Sequence, residues 1–371
     1  VSWPETWLRL RDRCLASERF QAWASRSALT SGIARRRAGR LFDLCAGFVY
    51  SQILLASVET GLLEALRDGP LSTAELDRKL DLAPGRAQRL IDGSLALDLL
   101  QSRSGGRIGL GSVGATLLGN PAVLAMVRHH RLLYADLADP VALLRDEMPC
   151  TALQDYWAYA QHEAPLQLEA TRTDDYSALM AASQSLIATQ VLDAYPLHRH
   201  RSLLDVGGGL GAFALEALRR TPHLQCGVFD LPAVAARAQA RFDAGGMAGR
   251  IRAIGGNFLA DPLPVGSDVI SLVRVLHDHD DAAVRRVLQA IREALAPGGK
   301  LLIAEPMPDG GATRRVGDAY FGFYLLAMGQ GQARSPGRLA ALLAESGFRP
   351  PRQRPTRIPL QCQVLVTAPD C

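Results

Sequence analysis

No two cysteines in this sequence stand at C-x-x-C spacing. The six, Cys14, Cys45, Cys150, Cys226, Cys362 and Cys371, are scattered, a pattern that offers neither a zinc site nor a disulfide framework and fits a reducing compartment. Lysine is almost missing as well: Lys79 and Lys300 are its two occurrences, so arginine carries the positive charge. The net charge of +4 is too small to imply a nucleic-acid partner by itself. No apolar run of about 20 residues stands out, so no spanning helix is expected. The N-terminal "VSWPETWLRLRDRCLASERF" lacks the basic-then-apolar plan of a secretory signal. Low-complexity tracts are absent too. What these absences leave is a globular enzyme, expected in the cytoplasm and, at 371 residues, long enough for two domains.

The first 40 residues read as a basic, amphipathic segment. Trp3, Trp7 and Leu8 lie partly on one side of a short helix, and "ARRRAGR", Ala34 to Arg40, is the densest cluster of charge. That cluster is either a solvated face or an attraction to an anionic membrane surface. From Leu41, "FDLCAGFVYSQILLASVETGLLEAL" is apolar around most of its circumference, as a helix buried on several sides is. Two short helices follow, "STAELDRKL" with capping-box spacing at Ser72 and Glu75, and "APGRAQRLIDGSLALDLL". The glycine-rich "GGRIGLGSVGATLL" adds a hairpin and a short helix, completing a winged helix. Its second helix offers only Arg86 and Arg89 near its start, with leucine over the rest. A structural or dimerising module is the better reading than a DNA-binding one. Pro121 to Asp175 is helical, with His129, His130, Tyr156, Trp157 and Tyr159, so the second segment is set at 41–175.

From Tyr176 a long amphipathic helix, "YSALMAASQSLIATQVLDAYPL", leads into alternating strands and helices, which predicts a doubly wound α/β domain over 176–371. The terminal "RQRPTRIPLQCQVLVTAP" reads as two short strands, antiparallel at the sheet edge. Ligands of such sheets bind beyond the carboxyl ends of the strands.

At the first of those ends stands "LLDVGGGLGAF", Leu203 to Phe213, whose Gly207-x-Gly209-x-x-Ala212 fits a dinucleotide fingerprint. Asp205, two residues ahead of Gly207, argues against a pyrophosphate, which it would repel, and for an α-amino group or a sulfonium. Asp230 ends the next strand where an acid binds ribose hydroxyls, a feature common to both cofactors. "GGNF" places Asn257 for an adenine edge and Phe258 for its face. In "RVLHDHDD", His277 is the candidate general base. His277, His279 and the aspartates are weighed as a metal site and set aside, because Asp280 and Asp281 are simpler as helix-start acids. Glu305, at the end of "IAEP", is placed to orient His277. "YFGFYLLAM", with Tyr320, Phe321, Phe323, Tyr324 and Met328, forms a candidate apolar wall together with Met180, or else ordinary helix core.

Taken together, "LLDVGGGLGAF", "FDLP", "GGNF", "RVLHDHDD", "LAPGGKLLIAEP" and the winged-helix front end resemble the class I S-adenosylmethionine-dependent O-methyltransferases, from about Leu41 to the C-terminus. The likeness is to the dimeric branch containing plant phenolic and bacterial polyketide enzymes. Within it, "YSALMAASQ", "LVRVLHDHDD" and "GDAYFGFYLLAMGQGQARS" look most like bacterial hydroxycarotenoid O-methyltransferases, which methylate the tertiary 1-hydroxyl of acyclic carotenoids such as demethylspheroidene and 1-hydroxyneurosporene. The resemblance implies a mostly parallel seven-stranded sheet, S-adenosylmethionine held at Asp205, Gly207, Gly209, Asp230, Leu231, Asn257 and Phe258, and His277 as base beside Glu305. It also implies a homodimer through the winged-helix domain. Two family positions differ here: Ala333 stands where plant members have a second flanking glutamate, and Val273 replaces a lysine four residues before the base. A phenolic or polyketide acceptor, and a ligand-binding regulator without catalysis, are the alternative readings.

Overall fold

The computed structural model describes residues 3–83, 85–161, 184–247 and 249–370. They form two compact units, Val1–Asn120 and Pro121–Cys371. The helical stretch after Asn120 thus falls in the second unit, not with the winged helix as the sequence suggested. The reason is packing: the helix Pro121–Asp136 joins the helix Gly322–Ala327 through buried Leu133, Tyr324 and Leu325.

In the first unit, helices Trp3–Ala16 and Glu18–Arg26 precede a 29-residue helix, Ser31–Glu59. That helix begins ten residues before Leu41 and takes in the arginine cluster, since Ala and Arg are strong helix formers. By length and composition it is apolar enough to cross a bilayer, which corrects the expectation that no such stretch exists. Within its own unit it buries only Leu55, Ser57 and Val58, and Leu41, Phe42, Leu44 and Phe48 stand exposed. The winged-helix order follows as expected. Thr73–Lys79 starts with the full Ser72–Glu75 capping box, Arg86–Ala96 comes next, and β1 (Leu100–Ser102) pairs antiparallel with β2 (Ile108–Leu110) before helix Ser112–Leu118.

The second unit is built on seven strands: β3 (Ser202–Val206), β4 (Gln225–Asp230), β5 (Ile251–Gly255), β6 (Ser267–Val273), β7 (Leu295–Glu305), β8 (Arg352–Arg354) and β9 (Gln363–Thr367). Their order is β5-β4-β3-β6-β7-β9-β8. β3 to β7 run parallel, whereas β9 lies antiparallel between β7 and β8, so the C-terminal strands do close the edge. Central strands are apolar on both faces because helices cover both. One such helix, Asp281–Ala294, buries Val284, Val287, Leu288 and Ile291, an i, i+3, i+4, i+7 stripe. Strand order reverses between β3 and β6, and that switch point opens a crevice at their carboxyl ends. Met180, and the start of the helix expected from Tyr176, lie outside the described residues, which resume as helix over 184–194.

Candidate active site

The glycine turn follows β3 directly. Gly207, Gly209 and Gly211 take φ of 68°, 56° and 76°, a left-handed backbone that side chains disfavour. A Cβ on Gly207 would lie 2.8 Å from Val275 Cγ2, so the turn also packs tightly on the segment after β6. Above Gly209 there is space, and the nearest group to a Cβ there is Gln184 Nε2 at 3.9 Å. Gln184 was not legible as a site residue, because a lone glutamine on a helix carries no motif.

Asp230 ends β4 beside this turn. Its Oδ2 accepts from Gly209 N–H at 2.7 Å and its Oδ1 from Leu231 N–H at 2.8 Å. Each oxygen keeps a lone pair, so the carboxylate is fixed yet able to accept from two hydroxyls. Burial raises its pKa, opposed by those two N–H groups.

Asp205 is placed differently from the expectation. The parallel register sets it opposite Val228 and Ser271 in the middle of the sheet, and it is 1 % exposed. Its Oδ1 accepts from Ser271 Oγ at 2.6 Å, and its Oδ2 has no hydrogen-bond partner among the described residues. A Cβ on Gly208 would sit 2.6 Å from that oxygen. The carboxylate therefore underlies the turn and does not face the crevice. Burial pushes its pKa up to about 7, partly offset by the Ser271 hydroxyl.

Asn257 is exposed, and its Oδ1 already accepts from Leu259 N–H at 2.9 Å. The oxygen expected to take an adenine amine is thus shared with a local turn, which leaves the amide nitrogen as the readier group. Phe258 is half-buried, edge-on to His279 with ring centres 5.4 Å apart.

His277 sits in a short 3₁₀ turn, Leu276–Asp278, just after β6. Glu305, at the end of β7, holds the turn with both oxygens. Oε1 accepts from the backbone of Val275 and Leu276 at 2.9 and 2.7 Å, and Oε2 lies 2.5 Å from His277 Nδ1. With Nδ1–H donating to a carboxylate, Nε2 is left as the acceptor nitrogen. Asp278 Oδ1 lies 3.3 Å from Nε2, a neighbour that the sequence brought up only among the aspartates of the metal site it set aside. Burial alone would lower the pKa of His277, but the carboxylates of Asp278 and Glu305 outweigh it, and the net shift is upward. Arg274 enters this turn with φ of 58°, unusual for a side-chain-bearing residue, and its charge opposes protonation of His277.

A run of rings leads away from the base. Phe321 is 6.0 Å from His277, edge-on, and Tyr320 is 5.1 Å from Phe321. Tyr320 and Tyr324 place their hydroxyls 2.7 Å from Nε2 of His130 and His129 respectively. Residues 315–321 are wound as a π-helix, a form that recurs at functional sites. Tyr320 is half-buried, whereas Tyr324 and Met328 are buried in a cluster with Leu133, Leu143 and Leu153, which is helix core.

Known proteins match this arrangement. The family described as O-methyltransferase domain matches residues 134–349, and the O-methyltransferase dimerisation domain matches residues 42–120. Demethylspheroidene O-methyltransferase of Cereibacter sphaeroides is 44% identical over 92% of this chain and 89% of its own length. The protein of the same name from Rhodobacter capsulatus is 39% identical over 91% and 83%. The solved structure of human N-acetylserotonin methyltransferase in complex with SAM superposes with a TM-score of 0.72 at 25% identity, covering 90% of this chain and 98% of that one. The chain belongs to the O-methyltransferase family, with the family's dimerisation domain ahead of its catalytic domain.

Proposed function

We propose that this enzyme methylates the tertiary 1-hydroxyl of an acyclic carotenoid, with demethylspheroidene and 1-hydroxyneurosporene as acceptors. The methyl donor is S-adenosylmethionine. The acceptor class is supported by the two relatives named for demethylspheroidene, which align over about nine-tenths of the chain. One structural observation carries the chemistry: a histidine whose Nδ1 is fixed by a buried carboxylate, at the carboxyl end of the strand beside the glycine turn.

The residues fit the donor. Asp230 takes the ribose hydroxyls, while Gly207 and Gly209 keep the turn free of side chains where the methionine tail lies. Leu231 flanks the ribose. Asn257 and Phe258 meet the adenine. Asp205 acts from beneath, by supporting the turn. Bound there, the donor supplies an already activated methyl group, so positioning provides most of the acceleration. His277 Nε2 accepts the hydroxyl proton as the acceptor oxygen bonds to the methyl carbon, the sulfur–methyl bond breaks and S-adenosylhomocysteine leaves, and Glu305 and Asp278 stabilise the imidazolium that results. A tertiary alcohol is a far weaker acid than a phenol. Its proton leaves late, which calls for a base strengthened as His277 is. Tyr320 and Phe321 form the acceptor wall nearest the base, with Met180 assigned to the same wall from sequence; Tyr324 and Met328 back it.

We also assign this chain a homodimer through residues 42–120, where exposed Phe42, Leu44 and Phe48 need a covering partner. The first 40 residues carry nine arginines against three acidic residues. Trp7, Leu10, Trp23 and Ile33 are exposed among them. Basic groups near an anionic surface contribute about 1 kcal/mol each, which suits reversible attachment to the cytoplasmic face of the membrane that dissolves the acceptor.

Liposomes loaded with 1-hydroxyneurosporene and labelled S-adenosylmethionine test these assignments together. Label should enter the carotenoid, and deleting residues 1–40 should reduce the rate on anionic liposomes more than on detergent-dispersed acceptor. Methylation of a phenol but never of carotenoid would reject the acceptor. A monomer mass by light scattering at micromolar concentration would reject the dimer.

A further inference from the structure

The second flanking carboxylate expected near His277 is replaced by Ala333, yet the next residue is among the most heavily bonded in the molecule. Arg334 has 2 % of its side chain exposed. Its Nη1 donates to the carbonyls of Leu276 at 2.8 Å and Gln332 at 3.1 Å, and its Nη2 to the carbonyl of His279 at 2.7 Å. Its Nε donates to Asp281 Oδ1 at 2.7 Å, and Asp281 is also bridged by Arg338. Between these contacts, Gln332 N–H donates to the carbonyl of His277 itself at 2.8 Å. Gly331 crosses the His277 carbonyl so closely, at φ of 98°, that a Cβ there would collide with it.

The geometry points to Arg334 as a positioning residue for His277. Glu305 grips the N–H side of the 275–277 turn, and Arg334 with the Gln332 amide grips its carbonyl side. The imidazole is thus aimed by a two-sided clamp in which one side supplies a carboxylate and the other a planar fork of donors, a geometry lysine cannot reproduce. Arg334 is paired with Asp281, which it shares with Arg338, and its bonds to the turn all go to backbone carbonyls, so it acts on His277 through the backbone. Its catalytic consequence rests on His277 being the base; its effect on the His277–Glu305 bond does not.

Arg334→Met and Arg334→Lys in the full chain, with ¹⁵N-histidine labelling, test this. Both should lower kcat by roughly 10²-fold, the scale of an ångström-sized misplacement, while S-adenosylmethionine affinity by calorimetry and acceptor KM stay within about twofold of wild type. The His277 Nδ1 proton, strongly deshielded by its short bond to Glu305, should move upfield in both. Where Arg334→Met fails to fold, Asp281→Asn, at a position a quarter exposed, carries the test and should show the same upfield movement with a smaller loss. Unchanged kcat in Arg334→Lys, a lowered kcat with the Nδ1 resonance unmoved, or loss of cofactor affinity in parallel with kcat would each overturn the proposal. If His277→Ala stays active while the His277 resonance still moves in the Arg334 variants, the clamp stands and the base assignment falls.

Discussion

The turn after β3 is made by its own backbone. Three left-handed glycines bend it, and Phe229 and Asp230, at the end of the next strand, accept from its Gly207 and Gly209 N–H groups. The turn after β6 contains no glycine, and is held from outside by Glu305, Gln332 and Arg334, between 28 and 58 residues away in sequence from the groups they bond. The first arrangement leaves backbone bare for a ligand to approach. The second holds a buried side chain in one orientation, with the groups around it tied down. The turn proposed to cradle the cofactor and the turn proposed to present the base are thus built from opposite kinds of residue.

Breaking the second turn should cost the most. His277→Ala should lose roughly 10²–10⁴ in kcat while calorimetry finds S-adenosylmethionine affinity near wild type; retention of most activity would leave positioning as the whole of the mechanism. Breaking the cradle should produce the reverse pattern. Asp230→Ala removes a charged acceptor worth ~1.5–3 kcal/mol, so cofactor affinity should weaken at least tenfold. An unchanged dissociation constant would remove Asp230 from the ribose site.

The comparison sharpens with pH. The base role proposed for His277 requires its neutral form, and its pKa lies above the ordinary histidine value because of Asp278 and Glu305. Activity should therefore rise with pH through a midpoint above about 6.5. Glu305→Gln removes one of the raising charges, so that midpoint should move to lower pH even as the maximal rate falls, as a pH profile of kcat would record. A midpoint that moved upward would contradict the electrostatic account. The smallest effect belongs to the glycines. Gly207→Ala meets both a left-handed φ and Val275, whereas Gly209→Ala meets the φ alone. Thermal unfolding should show the first losing about 1–3 kcal/mol more than the second.

The same contrast explains what could be read in advance. Glycines that bend a turn, strands alternating with helices, and an acid at the next strand end leave local marks, so the sheet was legible, and the glycine turn, Asp230 and His277 could be singled out as the candidate site. Asp205 was legible as present but not as buried, because its depth depends on Ser271 in a strand 66 residues away. Asp278 was read as a candidate metal ligand and not as a neighbour of Nε2, because its approach to the ring depends on the 3₁₀ turn. Arg334 was read past as part of a motif in which its neighbour Ala333 drew the eye; nothing local says that a guanidinium will be swallowed by three carbonyls. For Tyr324 and Met328 the sequence left wall and core open, since helical spacing alone does not tell a wall from the core behind it.

The π-wound stretch from Arg315 to Phe321 has an evolutionary consequence. A turn closed by i→i+5 bonds holds one residue more than an α-turn. Deleting a single residue there would let the helix relax to α geometry and rotate everything on one side of it by about 100° relative to the other. Tyr320 and Phe321 would be swung out of their present places at a stroke, with the residues of the sheet and of both turns unchanged in sequence. Relatives that accept differently shaped alcohols should therefore differ at this stretch by one-residue insertions and deletions more often than by substitution, and a one-residue deletion here should change which acceptor is methylated before it changes how fast.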